Sequence, residues 1–509
     1  MSLEPEATAT RAGASSQPVT GSMLYDLIQC PHRVYADTFS VASERDEVSP
    51  FVRMLWERGS NFEAQVMGSR VAGYVDLTSV SRHERERLTR EAMDRGEPLI
   101  YRGQISADDL LGMPDVLRKE VGGYVPGDIK SGAGEFGGDD EHEPKPKLHY
   151  AVQLALYVDI LQRLSLAAGR RGFIWDVRGE EVSYDFDKPI SERKPRTLWD
   201  EYLTAREGAR SILSTVTVTR PAYSSTCKLC HWHTRCLSDL EAMDDLSLIP
   251  HLGRAKRDAM LDYIPTLAEF ASMELHSFIT KGRTPFARVG EKSLRTFHTR
   301  ARLLKSPSPA PFLKESISLP LVSRELFFDI EVDPMREICY LHGIVERLEG
   351  DNATERFIGF FTEDESEQEE ERAFAEAWAY LTADPNALVY YFSKYERTIY
   401  RKLQAKYPSV CTREDVEALF HPEKAIDLYF DVVFPATEWP TRDYSLKTLA
   451  RYLGFNWRDE NPSGAASIEW FDRWVKGRDP ADRQRILEYN EDDCRATRVV
   501  LDGIRALAA

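Results

Sequence analysis

The first residues with the chemistry of a hydrolytic metal site lie between positions 112 and 130. Gly112-Met113-Pro114-Asp115 is followed after a short interval by Gly127-Asp128-Ile129-Lys130. Carboxylate oxygens bind the hard cation Mg²⁺, and a nearby lysine can orient the attacking water or offset developing charge. The pattern therefore predicts a metal site at Asp115, Asp128 and Lys130. The alternative for Asp128 and Lys130 is an ordinary surface pair, because residues i and i+2 share one face of a strand.

Four cysteines bracket this acidic pattern. They are Cys30, Cys227, Cys230 and Cys236. Their thiolates suit a soft metal, which would tie the two ends of the segment together. Zn²⁺ is one candidate, with His231 or His233 as competing ligands. Disulfides explain the pattern poorly, because the chain has seven cysteines, an odd number, and we expect no signal peptide.

The bracketed segment resembles a known family, the RecB-like PD-(D/E)XK nucleases, in the branch that carries an iron–sulfur cluster. The resemblance covers roughly residues 20–240 and rests on the order of the motifs, which continue with Gln153-Leu154-Ala155-Leu156-Tyr157. It implies that Asp115 is the family's first metal-binding acid. It also implies that Asp128 and Lys130 form the (D/E)xK pair.

The same resemblance implies roles for three further groups. Gln153 and Tyr157 match the family's QxxxY helix and would be catalytic, although packing alone also explains an i, i+4 pair on an apolar helix. Glu63 fills the upstream helical position, where many relatives carry a histidine, and would bind the metal ion. The lone cysteine followed by CxxC-x₅-C matches the family's layout for a [4Fe–4S] cluster, which leaves zinc as the alternative.

Bulk composition indicates a multidomain protein without a membrane span. The chain has 509 residues, 42% hydrophobic and 29% charged, and it contains no run of about 18 apolar residues. Residues 1–20 are rich in Ala, Ser, Thr and Pro, which predicts a disordered lead and a cytoplasmic protein. The net charge of −17 does not exclude a nucleic-acid partner, because charge acts locally.

A locally basic segment follows the last cysteine of the bracket. Residues 251–305 contain 11 Lys and Arg against 5 Asp and Glu. Two glycine turns are expected to open basic helices. The pair resembles helix-hairpin-helix elements, which bind nucleic-acid backbones through helix N-termini. The residues expected to bind nucleic acid are Gly253, Arg254, Lys256, Arg257, Gly290 and Lys292. A plain helical linker is the alternative.

A second acidic pattern begins near residue 323. Leu326-Phe327-Phe328-Asp329-Ile330-Glu331-Val332 predicts a strand with Asp329 and Glu331 on one face. The chain ends on a predicted long helix that holds Tyr489-Asn490-Glu491-Asp492-Asp493. Tyr489 and Asp493 lie one helical turn apart and share a face.

This part of the chain, roughly residues 323–509, resembles the DEDD exonucleases of the ribonuclease H-like fold, in the DEDDy subclass close to YprB-like domains. The resemblance implies two Mg²⁺ or Mn²⁺ ions among Asp329, Glu331 and Asp493, with Tyr489 orienting the water. Glu396 stands where the family has its second Asp, and the extra methylene shifts the carboxylate. Asp427 competes for that role, but it also suits a structural cap or a strand end. An inactive second domain is therefore the alternative.

The sequence predicts an α/β multidomain protein. Its predicted parts are a disordered lead (1–20), a PD-(D/E)XK domain with a restriction-endonuclease-like core (21–240), a helix-hairpin-helix bridge (241–305), a linker (306–322) and a ribonuclease H-like domain (323–509). The predicted activity is metal-dependent hydrolysis of nucleic-acid phosphodiesters, as an exonuclease acting on DNA in repair or processing. The alternative is a nucleic-acid-binding scaffold with one or both centres inactive. No G-x-x-x-x-G-K-[ST] loop occurs, so unwinding would need a partner helicase.

Overall fold

The computed structural model describes residues 17–70, 73–137, 145–191 and 194–508. The chain divides into two units, Met1–Pro221 with Ser225–Leu237, and Ala222–Ser224 with Ser238–Ala509. Each unit combines helices with a mixed sheet, which confirms the predicted α/β multidomain class. No helix in the described part of the chain combines the length and the apolar composition needed to cross a bilayer.

The first unit is built on a six-stranded sheet. In spatial order its strands are Glu181–Asp185, Arg171–Trp175, Gly123–Ile129, Val116–Glu120, Leu99–Tyr101 and Val75–Asp76. The two central strands are antiparallel, and Val116 pairs with Gly127. Because residue numbers run in opposite directions across such a pair, this register places Asp115 across from Asp128. The hairpin therefore brings the two predicted acids together.

Helices cover this sheet and enclose its core. The helices are Gly21–Gln29, Pro31–Phe39, Pro50–Arg70, Arg82–Arg95, Leu148–Arg163 and Leu198–Leu213, and His233–Ala242 contains the division between the units. Short strands outside the main sheet are Val19–Thr20, Ile105–Ala107, Leu110–Gly112, Glu135–Phe136, Lys145–Pro146, Pro189–Ser191 and Lys194–Thr197. Residues 154–158 of the helix Leu148–Arg163 are all buried, as the core element of an α/β layer requires.

The start of the first unit differs from the prediction. Residues 1–16 of the predicted disordered lead lie outside the described residues. Val19 and Thr20 form a strand that pairs in parallel with Leu110 and Leu111, and Val19 is buried. The ordered fold therefore begins before residue 21, because Val19 supplies apolar surface to the core.

The second unit contains a five-stranded sheet. Its strands, in spatial order, are Asp351–Phe361, Ile338–Leu348, Arg324–Asp333, Leu388–Tyr391 and Ala425–Asp427. The first three are antiparallel neighbours, and the last two run parallel to Arg324–Asp333. The strand predicted at 326–332 is thus the central strand of the sheet, and it carries Asp329 and Glu331.

Helices of the second unit pack around this sheet. They are Glu367–Thr382, Tyr395–Lys406, Arg413–Leu419, Phe434–Ala436, Leu446–Tyr452, Gly464–Gly477 and Pro480–Ala508, with a π-helix at Leu428–Val433. The helix Pro480–Ala508 is the long terminal helix that the sequence predicts. Its apolar face packs on the central strand, which buries Tyr489 and Asp493 beside Asp329.

The predicted bridge and linker both pack within the second unit. The bridge contains the helices Gly253–Met260, Leu267–Ser272 and Glu291–Leu304. Its Arg300 forms a buried ion pair with Glu438, at 2.8 and 3.1 Å between guanidinium nitrogens and carboxylate oxygens. Within the linker, Phe312–Leu313 forms a strand that pairs with Thr437–Glu438. Both segments are therefore part of the folded second unit, because the bridge contributes a buried ion pair and the linker contributes a strand.

Candidate metal centres

The first acidic site sits at the end of the central hairpin of the first unit. The backbone N–H of Ile129 donates to Asp115 Oδ2 at 2.9 Å, and the N–H of Asp115 lies 3.4 Å from Asp128 Oδ1. The Lys130 ammonium lies 3.0 Å from Asp128 Oδ2. Both carboxyl groups are buried. The structure therefore brings the three residues of the first pattern into one site.

The electrostatics of this site suit a bound cation. Burial and the charge of Asp128 raise the pKa of Asp115 to about 7, so the two acids resist being ionised together. Burial lowers the pKa of Lys130, but Asp128 and Asp115 outweigh it and the net shift is upward. Lys130 therefore stays protonated and can offset negative charge, whereas it is a poor general base.

Glu63 reaches the same site from the helix Pro50–Arg70. Its Oε2 accepts a hydrogen bond from the Arg102 guanidinium and lies 3.4 Å from the Tyr101 hydroxyl. The other terminal nitrogen of Arg102 lies 3.7 Å from Asp115 Oδ1. Sequence analysis missed Arg102, which adopts a positive φ of 58° that is uncommon outside glycine. Arg102 thus links Glu63 to the acid pair.

Gln153 and Tyr157 lie behind this site. The Gln153 amide donates to the Tyr157 hydroxyl at 3.0 Å, and that hydroxyl is 3.4 Å from the carbonyl oxygen of Met113. A Cβ at Gly112 would meet the Tyr157 ring at 2.7 Å, so the glycine permits this close packing. The pair therefore supports the segment that precedes Asp115.

The four cysteines occupy two neighbouring segments of the first unit. Cys30 lies between the helices Gly21–Gln29 and Pro31–Phe39, and the other three lie within residues 227–236. Asp37 joins these segments, since its Oδ1 is 2.7 Å from His231 Nε2 and accepts from the Trp232 indole at 3.0 Å. Asp37 therefore ties the two cysteine-bearing segments together through one ring nitrogen of His231 and through the Trp232 indole.

The thiols of Cys30 and Cys227 lie near that of Cys230. Burial, with the nearby Cys30 and Cys227, raises the pKa of the Cys230 thiol against the opposing influence of Arg33. Over all described residues, no group of three cysteine sulfurs lies within 4.8 Å of one another.

The second acidic site lies on the central strand of the second unit. One carboxylate oxygen from each of Asp329, Glu331 and Asp493 falls within 4.8 Å of the others. Two of these acids come from alternate positions of the strand Arg324–Asp333, and the third comes from the helix Pro480–Ala508. The predicted metal ligands are thus brought together across two elements distant in sequence.

Asn490 fixes the two strand acids. Its amide nitrogen donates to Asp329 Oδ2 at 2.8 Å and lies 3.5 Å from Glu331 Oε1. Gly343 makes room for this amide, because a Cβ there would lie 1.5 Å from Asn490 Oδ1. Asn490 lies inside the motif that marked Tyr489 and Asp493, but sequence analysis gave it no role.

Asp493 is held by two donors that the sequence patterns did not indicate. The Lys447 ammonium lies 3.1 and 3.2 Å from the two Asp493 oxygens and donates to the Tyr489 hydroxyl at 2.9 Å. The Trp457 indole donates to Asp493 Oδ1 at 2.7 Å. Lys447 therefore connects the predicted metal ligand Asp493 with the predicted catalytic Tyr489.

The protonation behaviour of the acids matches a cation site. Burial and the charges of Asp493 and Glu331 raise the pKa of Asp329 well above its ordinary value. Burial and the charge of Asp493 raise the pKa of Glu331 to about 8. Clustered acids of this kind are stabilised in their charged form by a bound cation, and all-oxygen ligands suit Mg²⁺ or Mn²⁺. The residues present therefore fit a divalent ion.

Glu396 and Asp427 take different positions. Glu396 is buried on the first turn of Tyr395–Lys406 and lies outside the three-acid group. Its Oε2 has no hydrogen-bond partner among the described residues, and burial raises its pKa to about 8. Its charge adds to the raised pKa of Asp329, so it lies near the group. Asp427 Oδ1 accepts from the N–H groups of Tyr429 and Phe430 at 3.0 and 3.1 Å, which is the cap role expected of it.

The basic residues of the predicted bridge divide into exposed and buried members. Gly253 opens the helix Gly253–Met260 and Gly290 caps the helix Glu291–Leu304, as predicted. Lys292 is exposed, and Arg254 and Lys256 are partly exposed. Arg257, in contrast, is buried, with its guanidinium 2.5 Å from Asp245 and 2.6 Å from Asp258. The predicted phosphate contact of Arg257 is therefore incompatible with this conformation, because the buried ion pair occupies its donors.

Comparison with known families gives an independent view of both units. The family model of the PD-(D/E)XK nuclease superfamily matches residues 19–237, and that of the RNase H superfamily matches residues 326–504. The first match contains the Asp115–Asp128–Lys130 site, and the second contains the Asp329–Glu331–Asp493 group. The search of curated proteins found no match to the chain. The protein therefore contains a PD-(D/E)XK nuclease superfamily domain followed by an RNase H superfamily domain.

Proposed function

We propose that the protein is a metal-dependent nuclease that hydrolyses phosphodiester bonds in DNA, with active centres in both superfamily domains. The observation that carries this proposal is the group of three carboxylates at Asp329, Glu331 and Asp493, which lies inside the RNase H superfamily match. Buried acids held together at such short range are costly without a cation. A site that binds divalent metal on a nuclease-superfamily domain is suited to phosphodiester hydrolysis.

The residues of each centre have distinct tasks under this proposal. A bound divalent ion would supply an activated water and stabilise charge on the phosphate. In the first centre Asp115, Asp128 and Glu63 would hold the ion, while the protonated Lys130 offsets charge on the phosphate. In the second, Asp329, Glu331 and Asp493 would hold it. Glu396 would add a nearby fourth acid, whose unpartnered Oε2 can accept a proton or a ligand bond.

We propose an exonuclease rather than an endonuclease activity for the second centre. The support is Tyr489, one helical turn before Asp493, as in the DEDDy pattern that the sequence resembles. Its hydroxyl accepts a hydrogen bond from Lys447 at 2.9 Å, and Lys447 also contacts Asp493, so the tyrosine oxygen is held beside the proposed metal ligand. We propose that a chain with two nuclease centres acts in DNA repair or processing.

The four cysteines are proposed to hold a [4Fe–4S] cluster in the first domain. The supporting observations are the approach of Cys30 and Cys227 to Cys230 and the anchoring of both segments by Asp37. A cluster at this place would join residue 30 to residues 227–236 and so close the domain on itself.

The helices of residues 253–304 are proposed to contact the DNA backbone through Arg254, Lys256 and Lys292. Their alanine variants should reduce the slope of log binding constant against log salt concentration, by about one for each lost phosphate contact. Arg257→Ala is excluded from the set, because it would break the buried pair with Asp245. A salt slope equal to that of the parent protein would return the segment to a structural role.

The proposal is tested on the full chain, purified without oxygen and incubated with end-labelled single- and double-stranded DNA and RNA. We expect shortening of the labelled DNA with Mg²⁺ or Mn²⁺ and none with EDTA. Release of the end label on mononucleotides would identify an exonuclease, whereas labelled fragments of intermediate length would identify an endonuclease. Binding of DNA without any cleavage under either metal would favour the scaffold alternative.

A further inference from the structure

A row of aromatic rings lies beside the first acidic site. The ring centroids are 4.8 Å apart for Tyr25 and His149 and 4.5 Å apart for His149 and Tyr150. Phe136 extends this row, because its ring centroid lies 6.1 Å from that of His149. The row joins the first helix of the unit, a short strand and the first turn of the helix Leu148–Arg163. The fold thus assembles four aromatic side chains from three elements.

One end of the row lies at the lysine of the first centre. The Lys130 ammonium, which contacts Asp128, lies 5.6 Å from the centre of the Tyr150 ring, within the range of a cation–π interaction. Under the proposed function, Lys130 offsets charge on the phosphate that is cleaved. Each phosphate inside a strand is bonded to a nucleoside on either side. The bases next to the cleaved bond therefore lie close to the Tyr150 end of the row.

Lys147 supplies a second positive charge within the row. Its ammonium lies 5.3 Å from the centre of the Tyr150 ring and 5.2 Å from that of the Phe136 ring, so one cation serves both rings. It donates a hydrogen bond of 2.7 Å to the carbonyl oxygen of Ala133, which takes one of the three donors of the ammonium group. Aromatic rings next to positive charges are the combination that stacks bases and attracts phosphates in sites for single strands.

The other end of the row faces solvent. The Phe136 side chain is 57% exposed, whereas the other three rings are half-buried. Burial, with the charges of Lys147 and Lys130, lowers the pKa of His149 to about 4, so this ring is neutral at pH 7 and adds no charge to the row. A base that stacks on Phe136 would remove apolar surface from water, which is favourable.

We infer that this row is a base-stacking subsite for single-stranded nucleic acid, in which a base stacks on Phe136 and the Lys147 ammonium pairs with a neighbouring phosphate. The inference rests on the proposed function, and it adds that the first centre takes unpaired strands. A base inside a duplex is covered by its neighbours on both faces and must leave that stack before a protein ring can take it. Single strands meet this condition without unpairing.

The test measures binding of two fluorescent strands of equal length to the full chain by anisotropy, with Ca²⁺ in place of Mg²⁺. One strand is built of thymidine, and the other carries an abasic deoxyribose at every position, so the two share their phosphates and differ in their bases. Phe136→Leu keeps an apolar side chain and removes the ring. We expect it to weaken binding of the thymidine strand by roughly 5- to 150-fold, the range for one base–aromatic stack. Binding of the abasic strand should change by less than about twofold, because the lost ring had no base to stack on.

Two matched variants serve as controls. Phe136→Tyr keeps the ring and should bind both strands as the parent does. Trp56→Leu removes another aromatic side chain of the first unit, 62% exposed, and should also leave both affinities unchanged. An equal loss for both strands in Phe136→Leu, or no loss for either, would overturn the inference. DNA cleavage without this base-dependent effect would leave the proposed function intact, whereas the effect without cleavage under Mg²⁺ or Mn²⁺ would keep the subsite and remove the nuclease activity.

Discussion

Binding of a divalent ion at the RNase H-like centre should release protons and strengthen as pH rises. Burial and the charge of Asp493 raise the pKa of Glu331 to about 8, so this carboxyl group is largely protonated at neutral pH before the ion binds. The ion needs the charged carboxylate and must displace that proton. With a pKa of about 8, the ionised fraction is roughly 1 in 10 at pH 7 and roughly 1 in 100 at pH 6.

The expected change in affinity follows from those fractions. Between pH 6 and pH 8 the binding constant for Mn²⁺ should rise by at least about 50-fold and then flatten, with a slope near one log unit per pH unit below pH 7.5. Asp329, whose pKa is also raised, makes the slope steeper wherever it titrates in the same window. The Mn²⁺ binding constant is measured by isothermal titration of a chain that carries Asp115→Asn and Asp128→Asn. These two substitutions remove the proposed ligands of the first centre, so that only the second centre contributes. Repeating it in buffers of different ionisation enthalpy measures the protons released.

The matched control is Glu331→Gln, which keeps the shape of the side chain and removes its proton. Its Mn²⁺ affinity should be weaker at pH 8, and its pH slope should fall by about one. The raised pKa also predicts that the metal-free fold is favoured at low pH and loses this contribution as pH rises from 4.5 toward 8. An affinity that changes less than about twofold between pH 6 and pH 8 would refute the assignment of Glu331 as a buried, protonated ligand.

Three further changes test separate parts of the structure. Gly343→Ala places a Cβ 1.5 Å from Asn490 Oδ1 and should displace the amide that donates to Asp329. Losing a hydrogen bond to a charged group costs about 1.5–3 kcal/mol, so titration should show roughly 10- to 150-fold weaker Mn²⁺ binding, with parent-level binding as the contrary result. Arg300→Met leaves the buried Glu438 with Lys314 as its remaining ionic partner. We expect the free energy of unfolding, measured with denaturant, to fall by about 3 kcal/mol. An unchanged midpoint and slope would show that the Arg300–Glu438 pair is dispensable. Cys30→Ser should remove iron and brown colour from anaerobically purified protein, whereas Cys411→Ser, buried in the other unit, should keep both; full iron content in Cys30→Ser would exclude the proposed ligand set.

The acids of both centres could be predicted from the sequence, because their spacing along a strand, a helix or a hairpin determines which of them lie together. Asp329 and Glu331 alternate along one strand, and Tyr489 and Asp493 are one helical turn apart, so periodicity alone places each pair on one face. Asp115 and Asp128 meet because they face each other at the open end of the antiparallel hairpin of Val116–Glu120 and Gly123–Ile129. In these cases the residues that share a site are also close in sequence or in register.

The partners of those acids could not be predicted in the same way. Lys447 lies 46 residues before Asp493 and carries no local pattern that marks it. Arg257 was expected on a solvent-facing basic helix, but it pairs with Asp245 inside the fold. Arg102 reaches the first centre through a backbone conformation of positive φ. Each depends on tertiary packing, which side-chain type and spacing do not specify.

The central claim is that two metal centres on one chain cleave DNA. Its most direct test compares the anaerobically purified parent with Lys130→Ala, with Asp493→Asn, and with the chain that carries both changes. Lys130 and Asp493 serve different centres and contribute little to the hydrophobic cores, so all variants should fold. We predict that each single variant keeps part of the Mg²⁺- or Mn²⁺-dependent cleavage and that the double variant loses it by at least a hundredfold, on the order of the loss of one electrostatic catalytic group. Parent-level cleavage by the double variant would contradict the account.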